Sequence, residues 1–263
     1  MIKLSPCIEM LFGGDFYDKI KLAADAGLKA VEFWLWSNKD IPKIKALCDQ
    51  YGMTVTTMCI DSETPAVSEV FNKKRLMYRE QDAKDAFFAA CEESIKKANY
   101  LGVPTLIITV GNERNDITRE EQHANIVIQL KHVEKLFESA GITLIVEPLN
   151  VITDHRGYYL PSGYEGFGIL DEIDSPSIKL LYDIYHQQVS EGNLIANIRK
   201  NISRIGHFHV ADAPGRHEPG TGEINYRNVF KAISETDYKG YVGLEYSPTK
   251  DTLETLQHVK SLL

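Results

Sequence analysis

Short apolar runs alternate with longer segments of helical periodicity along the whole chain. The apolar runs have the length of buried β-strands and are bounded by turn residues. They cover residues 3–9, 30–34, 54–59, 105–110, 143–147, 179–183, 205–210 and 241–245. The helical segments cover residues 17–26, 41–51, 82–101, 119–140, 162–173, 193–201, 226–235 and 252–263. The pattern therefore predicts eight strand–helix units in succession.

Several joints between a helix and the next strand resemble one another, because a glycine stands at each. Glycine can adopt the left-handed backbone that ends a helix, and the apolar run after it then enters a buried parallel strand. The glycines are Gly27, Gly52, Gly102 and Gly141.

Eight such units without a linker-like stretch favour a single α/β domain over residues 1–263, a (β/α)₈ TIM barrel. The length of 263 residues agrees with the ~250 typical of that fold. A doubly wound open sheet is the alternative, but no G-x-G-x-x-G sequence follows the first strand. Residues 60–79 form one long polar connection, which we expect to be a loop or short helices above the barrel, as lids and binding loops often are.

Charge, cysteine spacing and the length of apolar runs exclude several classes of protein. The net charge is −8 and no long basic run occurs, so we expect no nucleic-acid partner. The four cysteines form no CxxC pair, which argues against a zinc site or a disulfide framework. The N-terminus lacks a signal-peptide pattern and no apolar run approaches ~20 residues, which predicts a cytoplasmic protein without a membrane span. A homo-oligomer is left open.

Four consecutive predicted strands end in residues that can bind a metal ion. In order, they are Glu147, Asp183, His209 and Glu245. The carboxyl ends of barrel strands converge on one site, and a buried carboxylate is costly unless a positive charge pairs with it. Mostly oxygen ligands with one imidazole suit Mn²⁺, Mg²⁺ or Co²⁺. The sequence therefore predicts one divalent metal ion. Four unrelated polar strand ends are the alternative.

The two glutamates of this set, Glu147 and Glu245, also form a candidate acid–base pair. A metal ion acidifies a C–H bond next to a carbonyl group by stabilising the enediolate oxygens. One carboxylate can then remove the proton, and the other can return it to a neighbouring carbon or to the opposite face. A small hydroxy-oxo acid or a ketose is the substrate that this chemistry predicts.

His186 and Arg216, which both follow strand ends, are candidates for substrate binding. His186 lies three residues beyond Asp183 and could donate to a substrate oxygen, unless it is a solvated loop histidine. Arg216 lies in a loop rich in glycine and proline and could fork onto a substrate carboxylate or hydroxyl pair. A salt bridge from Arg216 to Glu218 or Glu223 is the alternative.

Residues near the first two strand ends are candidates of a second kind. Glu9 and Glu32 could contact substrate hydroxyls. Phe33, Trp34 and Trp36 could line an apolar wall of the site or pack beneath the loops.

Three runs resemble those of hydroxypyruvate isomerases. That family belongs to the xylose-isomerase-like barrels, alongside ketose 3-epimerases and endonuclease IV. The three runs are Tyr182-Asp183-Ile184-Tyr185-His186-Gln187, the stretch Pro214-Gly215-Arg216-His217-Glu218-Pro219-Gly220-Thr221-Gly222-Glu223-Ile224-Asn225-Tyr226, and Glu245-Tyr246-Ser247-Pro248. The resemblance implies that Glu147, Asp183 and Glu245 bind the metal, that Glu147 and Glu245 are the acid–base pair, and that His186 and Arg216 contact substrate.

The chain departs from this resemblance at the third metal position. His209 stands where a bacterial hydroxypyruvate isomerase has glutamine and ketose 3-epimerases have histidine, and residues 61–79 differ from the glycine-rich segment of that isomerase. We therefore expect an isomerase of small hydroxy-oxo acids, with a ketose 3-epimerase as the alternative. An enzyme like endonuclease IV would need a histidine-rich three-metal site, and the chain has only eight histidines. A non-catalytic sugar-binding barrel would not need the full ligand set.

Overall fold

The computed structural model describes residues 2–263. Its strand segments all run parallel to their neighbours. They are β1 (Lys3–Pro6), β2 (Ala30–Val31), β3 (Thr54–Val55), β4 (Thr57–Cys59), β5 (Thr105–Ile108), β6 (Thr143–Val146), β7 (Ile178–Asp183), β8 (Ile205–Val210) and β9 (Tyr241–Leu244).

The segments close into a barrel. Seven are paired in the order β1-β9-β8-β7-β6-β5-β4, and β2 pairs with β3. A parallel bridge between Cys7 and Glu32 joins the end of β1 to β2. Thr56 alone separates β3 from β4, and its N–H still donates to the carbonyl of Val31 at 2.9 Å. β3 and β4 are thus two parts of one strand, and the predicted eight-stranded (β/α)₈ barrel is confirmed.

Helices surround the sheet. They are α1 (Ile8–Leu11), α2 (Phe16–Asp25), α3 (Ile41–Tyr51), α4 (Pro65–Lys74), α5 (Gln81–Leu101), α6 (Arg119–Ala140), α7 (Gly163–Ile173), α8 (Ile184–Ser190), α9 (Leu194–Asn201), α10 (Tyr226–Ser234) and α11 (Thr252–Lys260), with 3₁₀ turns at Arg75–Met77 and Ile202–Arg204. The four predicted joint glycines all have a positive φ, between 63° and 76°. Within residues 2–263, no helix combines the length and apolarity needed to cross a bilayer.

Several predicted boundaries were wrong; the second strand, for example, ends at Val31 and not at residue 34. The first strand ends at Pro6, and Glu9 lies on the short helix α1, because the carbonyl of Cys7 accepts from the N–H groups of Met10 and Leu11. His186 lies on helix α8 instead of a loop, because the side chain of Asp183 caps that helix directly after the strand. A short apolar run cannot distinguish a strand end from a first helical turn.

The long connection at residues 60–79 contains α4 and a 3₁₀ turn. Phe71 of α4 stacks on Phe87 of α5, with ring centroids 6.0 Å apart. The N–H of Leu76 donates to the carbonyl of Val110, just beyond β5, at 3.0 Å. The segment is therefore a helical structure attached to the carboxyl end of the barrel.

Candidate active site

The alternation of side chains along a strand places the predicted metal ligands inside the barrel. A residue two positions beyond an inward-facing one faces inward as well. Ile145 and Leu181 pack together in a small buried cluster inside the sheet, and each lies two positions before a predicted ligand. The corresponding pairs are Ile145 and Glu147, Leu181 and Asp183, His207 and His209, and Gly243 and Glu245.

The structure brings all four predicted ligands together. Each offers a ligand atom, and these atoms lie within 4.8 Å of one another. Nδ1 of His209 is 3.5 Å from Oε1 of Glu147 and 3.5 Å from Oε2 of Glu245. All four side chains are buried. We refer to Glu147, Asp183, His209 and Glu245 as the acidic quartet.

The quartet has the chemistry of a cation site. Nδ1 of His209 is buried and has no aligned hydrogen-bond partner among residues 2–263. Burial raises the pKa of Asp183, which reflects the cost of a buried carboxylate. Burial alone would lower the pKa of His209, but Glu245 and Glu32 outweigh it and raise that pKa well above its usual value. These residues fit a divalent cation, because it would relieve the excess negative charge and give the free nitrogen a partner.

Glu32 lies beneath His209 and does not face the substrate side. It is only 2% exposed. Its Oε2 lies 2.9 Å from Nε2 of His207 and accepts a 3.3 Å bond from Thr56, while its Oε1 lies 3.1 Å from Nε2 of His209. Burial opposes ionisation of Glu32, but His209 and His207 together lower its pKa. These contacts place Glu32 behind His209, where it supports the imidazole.

A glycine leaves room for this arrangement. A Cβ atom at Gly243 would collide with Oε1 of Glu32 and would lie 2.5 Å from Cδ2 of His209. Real Cβ atoms do not approach other heavy atoms so closely. The position on β9 two residues before Glu245 must therefore carry no side chain.

Both oxygens of Glu245 accept hydrogen bonds. Trp34 donates its indole N–H to Oε1 at 2.9 Å, and Arg216 donates to Oε2 at 2.5 Å. Burial raises the pKa of Glu245, but His209, Arg216 and Trp34 outweigh it and hold the pKa well below the usual range. Arg216 therefore pairs with Glu245 and not with Glu218 or Glu223, so the salt bridges considered from the sequence were wrong.

The loop that carries Arg216 is built on a buried aspartate that the sequence reasoning missed. Asp212 is inaccessible to solvent, and its carboxylate accepts from the N–H groups of Ala213, Gly220 and Ile224 at 2.7–3.1 Å. Arg216 itself has a positive φ of 55°. A buried acid directly before a Pro-Gly turn was the available signal, because such a carboxylate needs several N–H donors.

His186 is buried and held by Asn150, which the sequence reasoning also missed. Nδ1 of His186 accepts from the backbone N–H of Asn150 at 3.2 Å and lies 2.7 Å from its side-chain nitrogen. This network assigns the proton to Nε2, which lies 3.7 Å from Oδ2 of Asp183 and has no hydrogen-bond partner in the described part of the chain. Burial, then Arg216, lowers the pKa of His186 to about 4. His186 is thus a neutral N–H donor and not a solvated loop histidine.

Only one of the three aromatic candidates faces the site. Trp34 is 39% exposed, whereas Phe33 and Trp36 are buried, and the indole of Trp36 donates to Ser94. Glu9 accepts from the backbone N–H of Trp34 at 2.7 Å and pairs with Lys39 at 3.0 Å. Glu9 therefore fixes the segment that carries Trp34.

Known proteins resemble the chain over nearly its full length. A family model described as a xylose isomerase-like TIM barrel matches residues 20–262. The hydroxypyruvate isomerase of Escherichia coli (strain K12) is 33% identical over 253 residues, with 96% of each chain covered. The 2-oxo-tetronate isomerase of Cupriavidus necator is 29% identical over 248 residues, which covers 94% of this chain and 93% of that one.

Solved structures share the architecture. A family 2 AP endonuclease from Brucella melitensis has a TM-score of 0.89 and 25% identity over 99% of both chains. A D-allulose 3-epimerase from Methylomonas sp. has a TM-score of 0.81 over 100% of this chain and 98% of that one, but its 18% identity supports the fold alone. With its barrel, its sequence match over 20–262 and its full-length relatives, the chain belongs to the xylose isomerase-like TIM-barrel family and is an isomerase related to hydroxypyruvate isomerases.

Proposed function

We propose that the protein is a metal-dependent isomerase of small hydroxy-oxo acids, which moves a proton between neighbouring carbons through an enediolate. The observation that carries this proposal is the convergence of the acidic quartet within 4.8 Å. Two relatives, named as isomerases of hydroxypyruvate and 2-oxo-tetronate, support the class of substrate.

The quartet would hold one divalent ion. Glu147, Asp183, His209 and Glu245 supply oxygen atoms and one imidazole nitrogen, the donor set that suits Mn²⁺, Mg²⁺ or Co²⁺. When bound, such an ion supplies the positive charge that acidifies a C–H bond next to a carbonyl group.

The two glutamates are placed to act as the acid–base pair. Glu147 follows β6 and Glu245 follows β9, with β7 and β8 between them in the sheet. They therefore approach the centre of the site from two sides, and Asp183 and His209 lie between them. Glu245 is held as a carboxylate by Trp34 and Arg216, so it is suited to remove a proton from one carbon and become protonated. Glu147, in its protonated form, would donate its own proton to the next carbon, and exchange with solvent would restore both groups.

Two further residues would orient the substrate. The free Nε2–H of His186 is a neutral donor for a carbonyl or hydroxyl oxygen. The guanidinium of Arg216 has donors beyond the one that contacts Glu245, and its Nε has no partner among residues 2–263. Both residues would contact oxygens at the reacting end of the substrate.

A ketose 3-epimerase is the second candidate. The observation that favours it is the histidine at the third ligand position, His209, which the resemblance associates with epimerases. The same pair of glutamates could return the proton to the opposite face of one carbon instead of to its neighbour.

The test is an activity screen of protein stripped with a chelator and then reconstituted with Mn²⁺, Mg²⁺ or Co²⁺. In ²H₂O, the reconstituted protein should isomerise hydroxypyruvate or 2-oxo-tetronate and incorporate deuterium at carbon. Full activity of the stripped protein would contradict the metal dependence. A higher kcat/KM on a free ketohexose than on either acid would favour the 3-epimerase function over the isomerase function.

A further inference from the structure

A cavity of about 500 Å³ lies at the carboxyl ends of β5 and β6, and none of the quartet residues lines it. Leu149, two positions beyond Glu147, lines it. His155 lines it as well, and its ring centroid is 5.2 Å from that of His186. The cavity therefore lies next to the segment that carries Glu147, and His155 separates it from His186.

Arg75 lines this cavity without a carboxylate partner among residues 2–263. Two other cations of the lining are neutralised, since Lys74 pairs with Asp82 at 2.6 Å and Arg114 pairs with Asp116 at 2.6 Å. The lining also contains Lys73, which is exposed, and Glu113, which pairs with Arg119. Within the described residues, the guanidinium of Arg75 has one acceptor, the side-chain oxygen of Asn72 at 2.9 Å. A half-buried arginine of this kind can still form a fork with an anion.

The backbone of Arg75 is strained, with φ 48° and ψ −145°. Four non-glycine residues have a positive φ within residues 2–263. Asp174 and Asn193 cap helices in the left-handed helical region, the ordinary use of a positive φ by short polar side chains. Arg75 also caps a helix, α4, but its ψ of −145° lies outside that region. The other two are Arg75 and Arg216, both at the carboxyl end of the barrel. Backbone strain of this kind concentrates at ligand-binding positions.

Packing fixes the direction of the Arg75 side chain. A Cβ atom at Gly111 would lie 2.8 Å from Cβ of Arg75, so the arginine stem crosses the end of β5 where no side chain opposes it. The guanidinium lies 4.6 Å from the ring centroid of Phe71. Burial raises the pKa of Cys59, Glu147 raises it further and Arg75 lowers it, so both charges act on this one thiol at the end of β4.

The volume of the cavity is larger than a three-carbon acid needs. If each non-hydrogen atom of such an acid is given ~30 Å³, the volume of one water in the liquid, the acid fills less than half of the cavity. A four-carbon acid fits as well.

We propose that Arg75 binds the carboxylate of the hydroxy-oxo acid and thereby selects acids over neutral ketoses. Arg216 does not serve this purpose, because its charge is already used by Glu245. The inference rests on the proposed function for the class of substrate, and it adds the residue that recognises the acid group.

The test measures binding and does not need turnover. Calorimetry of the Mn²⁺-loaded protein compares threonate, a four-carbon acid without an oxo group, with threitol, the matching neutral polyol. Wild type should bind threonate more tightly. Arg75→Met keeps the packed stem and should weaken threonate binding roughly 10- to 100-fold, the scale of hydrogen bonds to a charged group, while leaving threitol binding unchanged. Arg114→Met, at the cavity edge, should stay within about threefold of wild type.

Several results would overturn the proposal. One is that wild type fails to bind threonate, and another is that Arg75→Met binds threonate with the wild-type affinity. A third is that Arg75→Met loses affinity for threonate and threitol equally, which would mean that Arg75 has a structural role. Inorganic phosphate competing more strongly than threonate would assign the site to a phosphate ester. If Arg75→Met does not fold, Arg75→Lys should still lose several-fold affinity, because it keeps the charge and loses the fork. Selective loss of threonate binding in a protein that isomerises no acid would contradict the proposed function and leave Arg75 as a carboxylate site.

Discussion

The indole of Trp34 donates a 2.9 Å hydrogen bond to Glu245, although the two residues are 211 positions apart in the chain. This contact joins the loop after β2 to the end of β9. It also occupies the glutamate oxygen that Arg216 does not contact. Trp34 is thus a positioning residue for the proposed base.

Trp34→Phe should lower kcat/KM about tenfold, because it keeps an aromatic ring and removes a hydrogen bond to a charged acceptor. Thermal unfolding should change little, since the side chain is 39% exposed. Steady-state kinetics and a melting curve measure both effects. Trp36→Phe is the matched control. Its indole is buried against Ser94, so it should lower the melting temperature and spare kcat. Equal loss of activity in the two variants would contradict the role of Trp34.

Glu147→Gln and Glu245→Gln should each lower kcat by about 10²- to 10⁴-fold, because an amide cannot transfer a proton. The fold should survive, since glutamine has the same shape. Deuterium exchange at the carbon-bound hydrogen of the substrate, followed by NMR, should disappear in both variants. Glu223→Gln is the control, because Glu223 is exposed and bonds only to Gln188 through its side chain. Exchange at the wild-type rate in both active-site variants would eliminate the proton-transfer scheme.

Glu32→Gln should weaken Mn²⁺ binding roughly 10- to 100-fold, the usual effect of removing a carboxylate behind a ligating histidine. Glu32 contacts Nε2 of His209 and leaves Nδ1 facing the quartet. Calorimetric titration of stripped protein with Mn²⁺ measures the change. Glu63→Gln is the control, because Glu63 is exposed and pairs with Lys97 at 2.9 Å. Unchanged Mn²⁺ affinity in Glu32→Gln would show that Glu32 has no influence on the metal site.

Arg216→Lys should lower kcat/KM by about 10- to 100-fold on a hydroxy-oxo acid and on a neutral ketose alike, because it loses the fork at the reacting end. Arg199→Lys, at an exposed pair with Glu235, should have no effect. Parallel kinetics on hydroxypyruvate and a ketohexose give the comparison. A loss confined to the acid would transfer carboxylate recognition from Arg75 to Arg216.

The parts of this structure that the sequence predicted well depend on local periodicity. The four strands that lead to the quartet end within one residue of their predicted positions. Two-residue alternation then brings Glu147, Asp183, His209 and Glu245 to one place without any knowledge of distant contacts. The helix-ending glycines are equally local signals.

The parts that were missed depend on partners far along the chain. Glu32 has the same polar character as the quartet, and only the neighbouring strands show that His207 and His209 surround it. Arg216 has two acids nearby in sequence, yet its partner is Glu245, 29 positions away. Helix α8 was missed because its cap, Asp183, is also the last residue of a strand.

The bare position at Gly243 has a consequence for engineering. A designer who grafts the four quartet side chains onto another eight-stranded barrel would reproduce their types and spacing. The imidazole of the histidine would still lack the space that it needs. Any methyl group on the strand beside it would strike Glu32 and His209. A graft must therefore include five inward-facing positions and not four, and the fifth, which corresponds to Gly243, must be a glycine.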